Sequence, residues 1–263
     1  MLFAQPLRAM TPRLFANPRN LPCEYRDWDS TFFGFRVAQV NSQRLTAAGV
    51  HATLEWCAQE RIDCLYLLVD AADVPAVRLA EEYQFKFVDV RMTFTRCLEW
   101  GRPLPRLDAP PGCTMRSWRE ADLPALRAIA RVSHRSSRFY ADANFPVERV
   151  SALYETWIEA SCHGDADHVL VAEHEHRPVG YSALHLDQDG KGRIGILGVS
   201  EESRQKGIGC RLVNEALLWL TERDVREVSV VTQGRNCEAQ RLYQRCGFLS
   251  HSVQCWYHRW FPR

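Results

Sequence analysis

The sequence lacks several features that would place it in a simple class of protein. Its ten cysteines are scattered and form no Cys-x-x-Cys pair, whereas a zinc knuckle or a disulfide-stabilised secreted module would cluster them. No apolar run approaches the ~20 residues needed to span a bilayer, and the N-terminus is a poor secretory signal. We therefore expect reduced thiols, no metal site, no membrane partner and a cytoplasmic location.

The sequence also lacks an excess of charge of either sign. The 263 residues carry 33 basic and 32 acidic side chains, which leaves a net charge of +1. General binding to nucleic acid or to anionic membranes relies on a broad excess of positive charge, so neither partner is expected. The 46% hydrophobic content is that of a soluble globular chain. We expect a small-molecule partner bound at a local site. The sequence does not decide whether the chain forms a homodimer.

A proline-rich stretch divides the chain. Four prolines and two glycines lie between Trp100 and Gly112, where they interrupt helices and strand ladders. The predicted organisation is an N-terminal extension (1–22), an N-terminal domain (23–100), a linker (101–112) and a C-terminal domain (113–263).

Both halves mix predicted helices and strands, which indicates an α/β fold with a mixed sheet. Before the linker, strands are predicted over 35–40, 63–69 and 85–95, and helices over 46–60 and 74–82. After it, strands are predicted over 114–117, 168–173, 179–186, 193–199, 227–232 and 248–260, and helices over 121–132, 147–161, 207–222 and 237–245.

The two halves also resemble each other. Residues 78–85 align with residues 241–248, and each segment reads as a short helix that leads into a strand. A repeat on this scale predicts two copies of one fold packed together.

The segment between the strand over 193–199 and the helix over 207–222 has the sequence Arg204-x-x-Gly207-x-Gly209. Glycine has no Cβ, so a phosphate can approach the backbone there, and the unpaired N–H groups of the first helical turn point towards it. Arg204 and Lys206 add cationic donors. The spacing fits neither the dinucleotide fingerprint nor the P-loop. It predicts a pyrophosphate site, with a solvated glycine turn as the alternative.

This turn resembles that of the GNAT family of N-acetyltransferases, which bind acetyl-coenzyme A (acetyl-CoA) with an Arg/Gln-x-x-Gly-x-Gly/Ala segment between a central strand and a long helix. The spacing of Asn236, Tyr243 and Gly247-Phe248 adds to the resemblance, which covers about residues 113–260. It implies a catalytic GNAT domain in the C-terminal half, preceded by a degenerate GNAT-like N-terminal half.

The resemblance also implies roles for individual residues. The strands over 193–199 and 227–232 would splay apart to admit the cofactor, and Asn236 would contact the pantetheine arm. The backbones of Leu197 and Val199 would pair with pantetheine. The pyrophosphate would be bound by Arg204, Gln205, Lys206, Gly207, Ile208, Gly209 and Cys210.

Acetyl transfer from a thioester expels a thiolate, and a proton donor beside the sulfur lowers the barrier by a factor of ~10²–10⁴. Tyr243 is the predicted donor. It follows Asn236 by seven residues and therefore lies on the same side of the helix, and the resemblance implies that a tyrosine at this point protonates the leaving sulfur. In the repeat, Ala80 takes the place of Tyr243. The N-terminal half is thus expected to be structural.

The general base is harder to assign. Many relatives carry a glutamate on the strand equivalent to 193–199, and here this strand has no carboxylate. A covalent route through Cys237 or Cys210 is a further alternative, but a thiolate at Cys210 would be repelled by the pyrophosphate, so direct transfer in a ternary complex is favoured. The candidate bases, acting directly or through water, are Glu173, His174, His185 and His134.

The loop over 135–146 is the predicted acceptor site. Arg138 can bind phosphate, and Phe139 or Tyr140 can stack on a base or sugar. Together with Asp142, Trp157 and Trp256-Tyr257, this loop resembles the TDP-fucosamine acetyltransferases, which N-acetylate a dTDP-4-amino-4,6-dideoxyhexose. The resemblance implies a nucleotide-linked amino sugar near Arg138, Phe139 and Asp142. The alternatives are a protein or peptide amine, a polyamine, an aminoglycoside, or a non-catalytic acyl-CoA-binding module.

Overall fold

The computed structural model describes residues 22–41, 45–98, 111–187 and 189–262. The N-terminal half (22–98) contains β1 (Cys23–Tyr25), α1 (Asp27–Phe33), β2 (Val37–Val40), α2 (Ala47–Gln59), β3 (Cys64–Asp70), α3 (Val74–Glu82) and β4 (Lys86–Cys97). The C-terminal half (111–262) contains β5 (Cys113–Ser117), α4 (Leu123–Ser133), α5 (Arg138–Ala141), α6 (Val147–Ala160), β6 (His168–His174), β7 (Arg177–Leu186), β8 (Gly192–Val199), α7 (Ile208–Thr221), β9 (Glu227–Gln233), α8 (Cys237–Arg245) and β10 (Leu249–Trp260).

These ten strands form one mixed sheet in the order β1-β2-β3-β10-β4-β9-β8-β7-β6-β5. The pairs β2–β3 and β8–β9 are parallel, and the others are antiparallel. β10 lies between β3 and β4, and β4 lies between β10 and β9. The predicted domains 23–100 and 113–263 therefore share one sheet through exchanged strands. Most of the predicted linker, 101–112, lies outside the described residues.

The predicted mixed α/β fold is confirmed. Each predicted strand and helix is present with ends shifted by up to two residues, and α3 and α8 have the predicted ends. The sequence did not reveal β1, α1 or α5, which have 3, 7 and 4 residues, because such short elements carry too few residues for a periodic pattern. No described helix is long and apolar enough to cross a membrane.

The predicted repeat is confirmed in element lengths. The unit β3-α3-β4 has elements of 7, 9 and 12 residues, and so has β9-α8-β10. The first unit begins at residue 64 and the second at residue 227, an offset of 163 residues that holds at every element boundary.

Individual contacts follow the same offset. Asp73 caps α3 by accepting a hydrogen bond from Ala76 N–H at 3.1 Å, and Asn236 caps α8 from Ala239 N–H at 3.1 Å. In the sheet, the pairing of Arg91 with Gln233 on β9 corresponds to that of Gln254 with Asp70 on β3. Arg91 and Gln254 are themselves paired between β4 and β10, so a pseudo-twofold axis passes through this point.

Helices cover both faces of the sheet. One face packs against α1, α4, α5 and α6; the other packs against α7 and α8 in the C-terminal half and α2 and α3 in the N-terminal half. On α7, Leu212, Ala216 and Leu220 recur every fourth residue and are fully buried, and each buried leucine contributes roughly 1.5–3 kcal/mol. This packing fixes the N-terminus of α7 beside the end of β8.

Candidate active site

The strands β8 and β9 separate in the middle of the sheet. They pair only through Gly192–Val228, Arg193–Ser229 and Ile194–Val230. Between Ile194 and Leu197, β8 contains one extra residue relative to β7, a bulge that shifts its register. Beyond Ile194 the edge of β8 that faces β9 pairs with no described strand, so its peptide groups are available to an extended ligand. This is the opening expected between 193–199 and 227–232.

The turn after β8, residues 204–210, has an unusual backbone. Gln205 and Gly207 have φ values of +61° and +82° on either side of Lys206, and such alternation directs successive N–H groups into one concavity. The first helical hydrogen bond of α7 runs from Arg211 N–H to Gly207 C=O at 3.1 Å, so the N–H groups of Ile208, Gly209 and Cys210 have no helical partner. We call residues 204–210 the phosphate turn.

The two glycines of the phosphate turn serve different purposes. A Cβ at Gly207 would meet no atom within 4 Å, so glycine is needed there for its positive φ. A Cβ at Gly209 would lie 3.3 Å from Leu242 of α8, so this glycine allows the two helices to approach. Arg204 Nε donates to Val199 C=O at 3.3 Å and ties the turn to the end of β8.

Tyr243 lies on α8, on the face of the sheet that also packs against α7, and is 6% exposed. Its ring packs against Phe94 and Phe248 at centroid distances of 6.3 and 5.9 Å. Burial, and then the neighbouring Cys246, raise the pKa of Tyr243 well above its ordinary value, so the phenol keeps its proton at neutral pH. The side-chain oxygen of Asn236 is used as the helix cap, which leaves its amide as the group for a ligand.

Two of the four candidate bases lie on β6, which is separated from β8 by β7. Glu173 on β6 forms an ion pair with Arg116, which holds its carboxylate at an outer strand. His174 lines a cavity of about 260 Å³ together with Pro111, Ser203 and two residues of the phosphate turn, Lys206 and Ile208.

The other two candidate bases lie along β8. His134, at the end of α4, has Nε2 2.9 Å from the hydroxyl of Tyr181, and burial and then Arg204 lower its pKa to about 4. His185 faces Gly195, where a Cβ would lie 2.5 Å from its Nε2; burial and then Arg193 lower its pKa to about 4. Both rings are therefore neutral at pH 7, and burial makes each a weaker base than an exposed histidine.

The cysteines proposed for a covalent route occupy different environments. Cys237 is exposed at the start of α8. Cys210 lies in the first turn of α7 beside Cys246, and burial together with Cys210 raises the pKa of Cys246 to about 12.

On the opposite face of the sheet, Arg138 stacks on aromatic rings. Its guanidinium carbon lies 3.9 Å from the ring centroid of Trp256, 4.4 Å from Tyr66 and 4.6 Å from Phe139. Its Nη1 is buried and has no partner among the described residues. Phe139 is 4% exposed, so it supports Arg138 from the core and does not present an open ring.

Asp142 is engaged within the protein. Its Oδ2 accepts hydrogen bonds from His258 Nδ1 at 2.7 Å and from Trp260 Nε1 at 2.8 Å. Burial alone would raise the pKa of Asp142, but these donors outweigh it and lower the pKa to about 2. The hydroxyl of Tyr140 is 2.8 Å from that of Ser151. Of the four predicted acceptor residues, Arg138 therefore has the polar group best placed for a ligand; substrate contact by the others stays a prediction.

Sequence reasoning missed the contribution of the N-terminal half to this region. Tyr66 on β3 and Arg91 on β4 lie on the same face as Trp256 and Arg138. Neither belongs to a local motif. The repeat makes Arg91 equivalent to Gln254, but its offset alone does not place these two side chains together.

Comparison with known proteins identifies the domain. The Acetyltransferase (GNAT) family matches residues 125–248. SpsD, a spore coat polysaccharide biosynthesis protein of Bacillus subtilis, is 23% identical over 202 residues, 76% of this chain and 68% of SpsD. A dTDP-fucosamine acetyltransferase of Escherichia coli O6:H1 is 31% identical over 144 residues, 53% and 60% of the two chains. A mycothiol acetyltransferase of Saccharopolyspora erythraea is 27% identical over 180 residues, 66% and 55%.

Solved structures share the fold. A GCN5-related N-acetyltransferase from Sphaerobacter thermophilus superposes with a TM-score of 0.62 at 20% identity, covering 86% of this chain and 72% of that one. A tandem GNAT protein from the clavulanic acid biosynthesis pathway gives a TM-score of 0.62 at 14% identity, covering 86% and 76%.

The fold is that of the GNAT acetyltransferases, in the tandem arrangement. Residues 125–248 are similar to the acetyltransferase domain of the GNAT family, whose members use acetyl-CoA as the acetyl donor. The chain spans 60% and 55% of the lengths of the dTDP-fucosamine and mycothiol acetyltransferases above.

Proposed function

We propose that this protein transfers an acetyl group from acetyl-CoA to the amine of a nucleotide-linked amino-deoxy sugar of the dTDP-4-amino-4,6-dideoxyhexose type, by direct attack in a ternary complex. The observation that carries the donor half of this proposal is the unpaired edge of β8, which is followed, after a 3-10 helix over Glu201–Ser203, by the phosphate turn. A free strand edge followed by free helical N–H groups suits a ligand with an amide-containing arm and a diphosphate.

The residues of the opening suit this cofactor. The N–H groups of the phosphate turn would bind the diphosphate, with Arg204 and Lys206 adding positive charge, and the β8 edge at Leu197 and Val199 would pair with the pantetheine amides. Bound acetyl-CoA supplies the activated acetyl thioester. Tyr243 holds a proton that it would donate to the departing sulfur, since the raised pKa of its phenol keeps it protonated.

The acceptor amine must be neutral to attack, so a group on the other face has to accept its proton. His134 and His185 are the candidates that lie along β8, each with a pKa lowered to about 4. A neutral imidazole can accept the proton directly or through water. The structure favours neither histidine over the other.

The acceptor class is supported by Arg138 and by two relatives. The buried, unpartnered Nη1 of Arg138 suits an anionic group. One relative is named a dTDP-fucosamine acetyltransferase and another a spore coat polysaccharide biosynthesis protein. Relatives named mycothiol acetyltransferase support a second class of acceptor as the alternative.

A thiol-release assay with acetyl-CoA tests the proposal across several acceptors: dTDP- and UDP-linked amino sugars, the amine substrate of mycothiol acetyltransferase, a polyamine and a peptide. We expect the highest kcat/KM with the dTDP-linked 4-amino sugar. A higher value with the peptide or the polyamine would overturn the acceptor assignment. Coenzyme A (CoA) binding without thiol release on any acceptor would indicate a non-catalytic binding module.

A further inference from the structure

Two polar side chains meet at the pseudo-twofold axis of the molecule. Arg91 on β4 and Gln254 on β10 occupy equivalent positions in the repeat and are paired across the two strands. Arg91 Nη1 donates to Gln254 Oε1 at 2.7 Å. Trp256 lies two residues further along β10 and packs on the face covered by α5 and α6, so Arg91 and Gln254 point to that face as well.

Arg138 reaches the same face from α5. It is held through the flat face of its guanidinium, by Trp256 and Tyr66 at 3.9 and 4.4 Å. Stacking of this kind fixes the group while leaving its N–H edges for hydrogen bonds. The buried Nη1 is such an edge, without a partner among the described residues.

The arginines lie close enough to affect one another. Burial, and then the charges of Arg138 and Arg193, lower the pKa of Arg91 below its usual value. Like charges are therefore gathered at the junction of the two halves, at a cost in free energy that a bound anion would relieve. Arg193 itself has three aspartates nearby, at positions 165, 167 and 187, so Arg91 and Arg138 are the arginines with the greater need of a counter-charge.

The acidic groups around Arg91 and Arg138 do not supply this counter-charge in full. Asp89 is 2% exposed and lies 3.3 Å from Arg235 Nε, so its charge is already matched. Asp29 of α1 lies near Arg138, and burial raises the pKa of its carboxyl. Asp29, with its raised pKa, and Asp89, which is already paired with Arg235, are thus acidic groups that interact with Arg138.

We infer that Arg91 and Arg138 together bind the phosphate groups of the acceptor, so that the N-terminal half supplies one wall of the acceptor site. This inference rests on the proposed function, since it specifies the anionic part of the acceptor. Two planar guanidinium forks suit the oxygens of a diphosphate. The N-terminal half then has a role in substrate recognition through Arg91 and Tyr66, although it lacks a phosphate turn and a residue equivalent to Tyr243.

Isothermal titration calorimetry with dTDP tests this inference. The protein is first saturated with CoA, so that the phosphate turn is occupied and dTDP reports on the acceptor side alone. We expect dTDP affinity to fall roughly 10- to 100-fold in Arg91→Met and in Arg138→Met. Thymidine, which lacks phosphate, should bind the parent protein and both variants with the same weak affinity.

A matched control exists in the same chain. Arg223 stacks on Trp219 at 3.7 Å, at the far end of α7 and with its side chain 40% exposed. Arg223→Met removes an arginine from a tryptophan face without touching the proposed site, so its dTDP affinity should stay within twofold of the parent. Arg91→Lys keeps the charge without the planar fork and should give an intermediate loss. In steady-state assays the acceptor KM should rise in Arg91→Met while the acetyl-CoA KM stays unchanged.

Three results would overturn the inference. They are equal dTDP affinities in Arg91→Met and Arg223→Met, no dTDP binding to the CoA-saturated parent protein, and a parallel loss of thymidine affinity. CoA binding and thiol release would persist in each case if the proposed function holds. Failure of CoA to bind the parent protein would instead contradict the proposed function. Should Arg91→Met fail to fold, as judged by thermal melting, the comparison of Arg91→Lys with Arg223→Met decides the question.

Discussion

The two halves share a repeated unit and differ in what precedes it. In the N-terminal half the parallel pairing of β2 with β3 ends at Gln39, and α2 begins eight residues later at Ala47. In the C-terminal half the pairing of β8 with β9 ends at Ile194, and α7 begins fourteen residues later at Ile208. The additional residues form the unpaired strand edge and the phosphate turn. The two halves therefore differ in this connection more than in the repeated unit.

The starts of the two helices show the physical difference. Thr46 caps α2, and its hydroxyl accepts a hydrogen bond from Gly49 N–H at 3.1 Å, which uses one of the N–H groups of that helix end. At the equivalent position α7 begins with Gly207, which has no side chain and a φ of +82°. Its N–H groups stay available for a ligand. The N-terminal half uses a side chain to cap its helix, and the C-terminal half has no side-chain cap at the start of α7.

The largest difference between variants of the two halves is expected in CoA affinity, for Gly207→Glu. The substitution adds a negative charge to the phosphate turn and strains a positive φ, so CoA affinity should fall by more than ~100-fold by calorimetry while the chain stays folded. Ala48→Glu places the same charge in the first turn of α2 and should leave CoA affinity unchanged. Equal CoA affinity in the two variants would contradict the assignment of the phosphate turn.

A second effect, confined to turnover, is expected from Tyr243→Phe. Loss of the proton donor should reduce kcat by ~10²–10⁴, while the Kd of acetyl-CoA stays near that of the parent, because the phenyl ring still packs against Phe94 and Phe248. Tyr83→Phe, in the N-terminal half, serves as the control and should retain full kcat. An unchanged kcat in Tyr243→Phe would remove this residue from the acid role.

The buried histidines of the C-terminal half predict a loss of stability in acid. The pKa of His134 and of His185 is about 4 in the folded protein against an ordinary value of 6.5, so between these values the unfolded chain binds more protons. The free energy of unfolding should then be fully retained above pH 6.5. It should fall by about 1.4 kcal/mol per pH unit for each ring as the pH drops towards 4.

Urea titrations between pH 7.5 and pH 4.5 measure this dependence. His185→Gln should lower the slope by about one bound proton, because glutamine does not titrate. A slope unchanged from the parent would mean that His185 already titrates near its ordinary pKa in the folded protein.

The smallest effect tests the symmetry of the repeat itself. Arg96 donates to the carbonyl of Cys246, and Arg259 donates to that of Tyr83; both pairs are related by the offset of 163 residues. We expect Arg96→Met and Arg259→Met each to lower the free energy of unfolding by about 2 kcal/mol, with CoA affinity unchanged. Loss of stability in one variant alone would show that the halves are alike in geometry but not in energy.

The sequence predicted the parts of the site that are local. The phosphate turn lies within seven consecutive residues, and its glycines have a physical role that spacing alone indicates. Asn236 and Tyr243 lie seven residues apart on one helix, so helical geometry places them together. The order of strands and helices in both halves also follows from local pattern.

The remaining features depend on contacts between distant residues. Arg91 meets Gln254 only because β4 and β10 exchange places between the halves, and no composition or period specifies that pairing. The prediction that Asp142 contacts the acceptor also depended on residues that are distant in the sequence. Its carboxylate is engaged by His258 and Trp260 of β10, more than a hundred residues away, and this engagement was invisible in the loop sequence.

A crystal structure of the protein soaked with CoA tests the central claim most directly. We expect the diphosphate within about 3 Å of the N–H groups of residues 205–210, the pantetheine arm beside the unpaired edge of β8, and the sulfur next to the hydroxyl of Tyr243. Density for the nucleotide in the N-terminal half, with the phosphate turn empty, would contradict the account.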